Sequence, residues 1–163
     1  MIRLLKRVRS AIFTWHLYRI AAHAGRGVKA NGYVRAKNII IGDNCHFNGM
    51  KIYGSGQVTI GNNFHSGKGL MVMTEIHNYQ GVSLPYDKTV IVKDVEIGDN
   101  VWIGVDVCIL GGVKIGEGAI IQACSVVAIN VPALAIVGGH PAVPFKFRDK
   151  DHYYKLKANK CFL

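Results

Sequence analysis

Aliphatic residues recur at every sixth position through the second half of the chain. The series keeps one unbroken register: Ile97, Ile103, Ile109, Ile115, Ile121, Val127 and Ala133. The next position is mostly small, and the position four places after each aliphatic is small or β-branched. A period of six fits neither an α-helix nor a long flat strand. It predicts a short strand and a turn every six residues, three per coil, in 18-residue coils that stack by parallel pairing.

The same pattern continues less regularly toward the N-terminus. Its upstream members are Val28, Val34, Ile41, Ile60, Ser66 and Val72, with a slip of one residue before Ile41. The solenoid is therefore predicted over residues 28–138. The period fails over about 78–90, in NYQGVSLPYDKTV, where Gly81 and Pro85 favour a loop. A loop leaving a strict solenoid is a common place for function.

The segments on either side of the repeat differ from it. Residues 2–20 place apolar residues at helical spacing, with Arg3, Lys6 and Arg7 between them: Ile2, Leu5, Val8, Ile12 and Trp15. We expect a basic amphipathic helix within 1–27 that caps the solenoid and packs on a neighbouring subunit, with peripheral membrane contact as the alternative. Residues 139–163 are predicted to form a basic C-terminal extension.

Composition and charge limit the possible classes of protein. Half of the residues are hydrophobic and 18% are charged, as in a globular domain. The net charge is +10, and no acidic residue precedes Asp43. Such a segment suits a membrane surface, an acidic polysaccharide or nucleic acid. No stretch approaches the roughly 20 apolar residues that cross a bilayer. We expect a cytoplasmic protein, with membrane association as the alternative.

Several stretches resemble the hexapeptide-repeat acyltransferases, in particular the branch that O-acetylates maltose, galactosides and polysaccharides. The matching stretches are IGDNCHF at 41–47, IGNNFHSG at 60–67, IHNYQGVSLPYD at 76–87, VEIGDNVWIG at 95–104, VKIGEGAIIQACSVV at 113–127 and IVGGHPAVPFKFR at 136–148. The resemblance implies an all-β fold, a left-handed parallel β-helix. It also implies a homotrimer that binds acetyl-CoA between adjacent β-helices, with active sites at the subunit interfaces and no nucleic-acid partner.

The resemblance also assigns residues. His77 matches the catalytic histidine and Trp102 the active-site tryptophan. The pantetheine arm is expected along Gly104, Val105, Ala123, Ser125 and Ala128, and the CoA phosphates near Lys146 and Arg148. Two positions depart from the family, because Ile129 and Val143 stand where basic residues are common.

Chemistry supports an imidazole at the site. An acceptor hydroxyl loses its proton as it attacks a thioester, and near neutral pH an imidazole is a suitable base. His77 is therefore predicted to act as the general base in a direct transfer. Glu75, two residues away, is a candidate to orient it. The acceptor-site candidates are Asn48, His46, His65, Tyr79 and Tyr86.

Other functions remain open. A γ-type carbonic anhydrase needs three zinc-binding histidines, two of them close in one stretch, whereas His46, His65 and His77 are widely spaced. No metal is therefore expected. A non-catalytic β-helix assembly subunit and an antibiotic acetyltransferase of the chloramphenicol or streptogramin type are the alternatives. The preferred function is acetyl-CoA-dependent O-acetylation of a sugar hydroxyl on a bacterial surface polysaccharide, such as a capsule, O-antigen or exopolysaccharide, or on its saccharide precursor.

Overall fold

The computed structural model describes residues 2–163 and contains many short strands between two helices. The helices are α1 (Ile2–Ile20) and α2 (Lys150–Ala158). The strands are β1 (His23–Ala24), β2 (Lys29–Arg35), β3 (Ile39–Ile41), β4 (His46–Tyr53), β5 (Val58–Ile60), β6 (His65–Ser66), β7 (Leu70–Met73), β8 (Glu75–His77), β9 (Val90–Val92), β10 (Val95–Ile97), β11 (Trp102–Ile103), β12 (Cys108–Ile109), β13 (Lys114–Ile115), β14 (Ile120–Ile121), β15 (Val126–Val127), β16 (Ala135–Gly139) and β17 (Ala142–Phe147).

Each regular coil has three strands, one on each side of a triangular cross-section. Strands β10, β11 and β12 form one coil and pair in parallel with β13, β14 and β15 of the next. The six-residue series points inward, and its members stack directly: Ile97 on Ile115, Ile103 on Ile121 and Ile109 on Val127. Burial of these stacked aliphatics stabilises the solenoid. The predicted fold, a left-handed parallel β-helix, is confirmed.

The last coil is shorter than the register predicts. Ala133 was expected to continue the buried series, but it is exposed in the turn before β16. Val131 is buried instead and pairs with Ile115, and Val137 pairs with Ile121. The coil closes in 16 residues because Val131 fills the interior, which the smaller Ala133 would fill poorly.

A row of asparagines holds one corner of the solenoid together. Asn44, Asn63 and Asn100 have φ angles of 55°, 55° and 58°, in the left-handed region that asparagine tolerates better than most residues. Their side-chain amides bond in series, from Asn44 to Asn63 at 3.1 Å and from Asn63 to Asn100 at 2.9 Å. The Asn100 amide then donates to the Tyr153 hydroxyl on α2. This asparagine ladder ties three successive coils to the C-terminal helix.

Helix α1 caps the first coil with one of its two apolar sides. Leu17 is fully buried, and Phe13 and Ile20 pack beside it against the core. Val8 and Ile12, from the predicted apolar stripe, point to solvent instead. Leu5 and Trp15 of that stripe are likewise exposed, and the side chain of Ile2 lies outside what the structure describes. Phe13, Leu17 and Ile20 also follow helical spacing, and they are the residues that contact the core. Packing of α1 on a neighbouring subunit stays a prediction.

Two segments add to the solenoid. Strands β8 and β9 form an antiparallel hairpin joined by residues 78–89, in the region where the repeat fails. The C-terminal extension holds β17, antiparallel to β16, and then α2, whose N-cap Asp149 accepts the His152 N–H at 2.7 Å. The domain boundaries at residues 27 and 138 stay predictions. Within the described residues, neither helix is long and apolar enough to cross a membrane.

Candidate active site

The β8–β9 hairpin presents His77 on the surface. His77 is the last residue of β8, is exposed, and pairs with Val90. Its imidazole stacks on the Tyr86 ring with centroids 3.9 Å apart and an angle of 9° between the planes. Stacking fixes the ring plane while the ring nitrogens stay at its edge. His77 is thus an oriented, solvent-reachable imidazole, the arrangement that a general base needs.

Asp87 holds the hairpin loop in shape. Its carboxylate accepts hydrogen bonds from the Val82 N–H at 3.1 Å, the Thr89 N–H at 2.8 Å and the Thr89 hydroxyl. These bonds, with the Thr89 hydroxyl first, lower the pKa of Asp87. A side chain at Gly81 would collide with the same carboxylate. The loop that carries Tyr86 therefore rests on Asp87, a residue that the sequence analysis did not single out.

A second set of predicted residues lies on one side of the solenoid. Strand pairing aligns seven outward residues across successive coils, and we call this set the outward column: Lys29, His46, His65, Trp102, Ile120, Ile136 and Lys146. Trp102, at the centre, is 56% exposed although it is large and apolar. Both ends of the column are basic. The two histidines beside Lys29 are polar, and the three residues from Trp102 to Ile136 are apolar. This pattern suits a ligand with a charged end and an uncharged body.

A shallow groove of about 450 Å³ runs beside the outward column. Its lining contains four residues predicted to hold the cofactor, namely Trp102, Gly104, Val105 and Ala123, together with Phe145. Gly104 keeps the groove open at the corner, since a Cβ there would lie 2.5 Å from the Ala123 nitrogen. The small corner residues and the aromatic edge fit a narrow, mostly apolar chain such as pantetheine.

The remaining cofactor candidates lie outside this groove. Ser125 is buried, and its hydroxyl accepts the Gly139 N–H at 3.2 Å. Ala128 is exposed directly after β15. Lys146 is exposed and free to meet a phosphate at the end of the column. Arg148 instead donates to the Gly118 carbonyl at 3.3 Å and lies 4.8 Å over the Tyr153 ring.

His46 and His65 form a close pair within the column. Their ring centroids lie 4.5 Å apart, and Nε2 of His46 is buried without a hydrogen-bond partner among the described residues. Burial lowers the pKa of both imidazoles, and His65 and Lys29 lower that of His46 further. At neutral pH the pair is therefore uncharged and able to donate to and accept from hydroxyl groups.

The His46–His65 pair makes stability depend on pH. Because both pKa values are lowered on folding, the stabilising contribution is present above about pH 6.5, the ordinary histidine value, and is lost as pH falls through the folded pKa values. We expect the melting temperature to fall less between about pH 7.5 and pH 5.5 in His46→Gln/His65→Gln than in the wild type. Thermal melts followed by circular dichroism measure this. His152→Gln, at an exposed position on α2, should retain the wild-type pH dependence. If the melting temperature of the double variant fell with pH as steeply as that of the wild type, the His46–His65 pair would not be the source of the pH dependence.

Asn48 lies next to the histidine pair. Its amide donates to the Ser66 carbonyl at 2.7 Å and accepts from the Asn31 amide at 3.3 Å. Ser66 directly precedes Gly67, which lines the groove, so Asn48 lies near one end of that groove.

The other two candidates on the β8–β9 hairpin lie away from this end of the groove. Tyr79 is exposed on the loop, and Glu75 accepts from the Ser55 N–H at 2.9 Å and from its hydroxyl. Its role in orienting His77 stays a prediction.

Helix α2 forms one wall of a second cavity, which the sequence did not predict. A cavity of about 460 Å³ lies between α2 with the last residues of the chain and the corner that carries His65 and Trp102. Tyr153 donates to the Glu117 carboxylate at 2.9 Å, and Lys157 donates to the same oxygen at 2.6 Å. Burial, followed by the effect of Glu117, raises the pKa of Tyr153 to about 12. The capping residue Asp149 before a charged run was the available signal for this helix.

The two halves of the candidate site lie on different parts of one chain. The hairpin with His77 leaves the coil between β7 and β10, at the corner opposite the side formed by β6 and β11. The outward column runs along that opposite side. One chain therefore does not bring His77 to the groove. Among residues 2–163, no three His, Cys, Asp or Glu side chains are grouped closely enough to hold a metal ion.

Comparison with known proteins decides the family. Residues 94–128 match the family described as "Bacterial transferase hexapeptide (six repeats)". The chain belongs to the hexapeptide-repeat transferases. A crystal structure of a hexapeptide-repeat-containing acetyltransferase from Vibrio cholerae superposes on this transferase with a TM-score of 0.75 and 28% identity, covering 86% of this chain and 82% of that chain. A second structure of that protein, complexed with acetyl coenzyme A, gives a TM-score of 0.72 with 29% identity and covers 81% and 74%.

Curated relatives of this hexapeptide-repeat transferase are longer than the region they share with it. A putative acetyltransferase of Schizosaccharomyces pombe is 36% identical over 109 residues, covering 63% of this chain and 47% of that protein. A chloramphenicol acetyltransferase of Morganella morganii is 44% identical over 63 residues, covering 39% of this chain and 30% of that protein. The chain thus spans about half, or less, of these relatives. The family match over residues 94–128 includes β11 and β14, two of the strands that line the groove.

Proposed function

We propose that this hexapeptide-repeat transferase is an acetyl-CoA-dependent O-acetyltransferase whose acceptor is a saccharide hydroxyl of a surface polysaccharide or its precursor. The observation that carries the proposal is the outward column with its groove. Trp102 and the small corner residues offer an apolar channel, and Lys146 offers a positive charge at one end. The related Vibrio cholerae acetyltransferase has been crystallised with acetyl coenzyme A, which supports this choice of donor.

The proposed reaction needs a proton acceptor at the attacking hydroxyl. A ring nitrogen of His77 would take that proton, and the Tyr86 stack would hold the ring in place while it does so. Acetyl-CoA would supply the acetyl group. As its C–S bond breaks, the His77 imidazolium would return the proton to the departing sulfur, so that CoA leaves as the free thiol. Backbone N–H groups along the groove would stabilise the charge that develops on the thioester oxygen. No covalent intermediate on the protein is required.

We infer that the working unit is a homotrimer. His77 and the groove lie at opposite parts of one chain, so a site that uses both needs a second copy of the chain. A parallel solenoid is well suited to this arrangement because its flat sides can pack side by side. In that assembly His77 of one subunit would face the groove of its neighbour.

The polar residues near the groove support the choice of acceptor. His46 and His65 are uncharged at neutral pH, and Asn48 adds an amide beside them. Neutral donors and acceptors of this kind suit an uncharged, hydroxyl-rich molecule such as a sugar. The exposed rings of Tyr79 and Tyr86 supply surfaces on which a sugar ring can stack.

A second candidate is acetylation of an antibiotic, which the similarity to a chloramphenicol acetyltransferase favours. One assay separates the two. CoA thiol release is measured with acetyl-CoA and a panel of neutral oligosaccharides, and separately with chloramphenicol. Turnover on at least one saccharide, with little on chloramphenicol, is expected. Faster turnover on chloramphenicol would overturn the saccharide assignment, and no acetyl-CoA binding by calorimetry would overturn the enzyme assignment.

A further inference from the structure

The exposed side of α1 carries an apolar surface that the solenoid does not use. We call it the apolar stripe, and it consists of Leu4, Leu5, Val8, Ile12 and Trp15. The five side chains are between 51% and 66% exposed. They follow helical spacing and so lie along one side of α1. Large apolar side chains grouped on a helix surface commonly mark a site of association.

The fold fixes the direction in which the apolar stripe points. On the opposite side of α1, Leu17 is fully buried against the solenoid, with Phe13 and Ile20 packed beside it. Polar bonds add to this attachment, since Thr14 accepts the Ala30 N–H at 2.9 Å and Ser10 donates to the Ala30 carbonyl at 3.1 Å. The helix cannot turn its stripe inward without breaking these contacts.

Positive charge is carried by the same helix as the apolar stripe. Helix α1 carries five basic residues, Arg3, Lys6, Arg7, Arg9 and Arg19, and no acidic residue precedes Asp43 in the chain. The guanidinium of Arg19 lies 5.0 Å over the ring of Trp15. Tryptophan at the end of an apolar helix face, with basic residues beside it, is typical of helices that lie in a bilayer interface.

We propose that α1 binds the surface of an anionic lipid bilayer, with the apolar stripe inserted at the level of the headgroups and the basic residues against lipid phosphates. Apolar area and positive charge on one helix complement both parts of such a surface. A nucleic acid would leave the stripe unused. A second copy of α1 would bring the same basic residues face to face. The proposal concerns binding alone and does not rest on the proposed catalytic function.

Sedimentation with lipid vesicles tests this proposal. The full chain is mixed with vesicles of phosphatidylcholine, and with vesicles in which about one lipid in three is phosphatidylglycerol. We expect binding to the anionic vesicles at least about tenfold stronger than to the neutral ones, weakening as salt is raised. Val8→Gln/Ile12→Gln should lower the partition coefficient by about tenfold or more, because it removes apolar area while favouring a helix.

A matched variant controls for general loss of apolar surface. Ile76→Gln/Val92→Gln replaces two exposed apolar residues on the hairpin instead, and should bind vesicles like the wild type. Equal binding by the α1 variant, or no preference for anionic vesicles, would overturn the proposal. A third result would also overturn it. If the wild type did not bind vesicles and Val8→Gln/Ile12→Gln disrupted an oligomer in solution, the stripe would be a protein interface. Thiol release on a free acceptor, measured on the same samples, tests the catalytic function separately.

Discussion

Replacing His77 with alanine is expected to lower kcat for acetyl transfer by about 10²–10⁴-fold, the usual contribution of a positioned general base. The KM for acetyl-CoA should change little, because His77 is proposed to act on the acceptor hydroxyl, whereas the cofactor is proposed to lie along the groove residues. Steady-state thiol release with a saccharide acceptor measures both constants. The exposed position of His77 means that the substitution should not alter folding.

His152→Ala is the matched control for this measurement. His152 is an exposed histidine on α2 that takes no part in the proposed site. We expect it to retain wild-type kcat and melting temperature. If His77→Ala turned over acetyl-CoA at the wild-type rate with the same acceptor, the base would have to be another residue and the proposed mechanism would be rejected.

Truncation of Phe64 is expected to lower the free energy of unfolding by about 3–5 kcal/mol in Phe64→Ala. Phe64 and Phe47 are fully buried, with ring centroids 5.2 Å apart in neighbouring coils. Loss of one ring leaves a cavity that the stacked coils cannot close, because the backbone pairing around it fixes their spacing. Denaturant unfolding at one fixed protein concentration measures the change, since assembly would otherwise contribute to it.

Phe147→Ala provides the comparison for Phe64→Ala. Phe147 lies on β17 and is 55% exposed, so its loss should cost less than about 1 kcal/mol. A Phe64 variant no less stable than the Phe147 variant would show that the interior relaxes around the missing ring, contrary to the packing described for this solenoid.

The sequence was sufficient for the solenoid because burial in each coil depends on a local repeat. Ile103 and Ile121 lie 18 residues apart and stack directly, as their positions in the repeat predicted. The prediction failed at Ala133, where Val131 takes the interior position and closes the coil two residues early. A repeat records which residues are apolar, whereas the path of the chain also depends on which of them fills the available volume.

Helix α1 illustrates a second limit. The series with Val8 and Ile12 and the series with Leu17 and Ile20 both have helical spacing, so periodicity predicts the helix but does not select the face that packs. The choice depends on the shape of the first coil and on the bonds of Ser10 and Thr14 to Ala30. These are tertiary contacts, which a local pattern does not contain.

The candidate site was predictable in part. The break in the repeat marked the hairpin, and resemblance singled out His77 and Trp102. The structure places Trp102, Gly104 and Ala123 in one groove, and their role in binding the cofactor stays a prediction. The support of the loop by Asp87 and the cavity beneath α2 were not predicted, because they depend on contacts between segments rather than on motifs.

The outward column has a consequence for the length of any ligand that lies along it. Its residues are spaced by backbone pairing at about 4.8 Å per strand, so His46 and Lys146, five strands apart, are separated by about 24 Å. Side-chain substitutions change the chemistry at each level but leave this spacing unchanged. The separation between two contacts of a ligand that lies along the column would therefore change only in steps of whole strands.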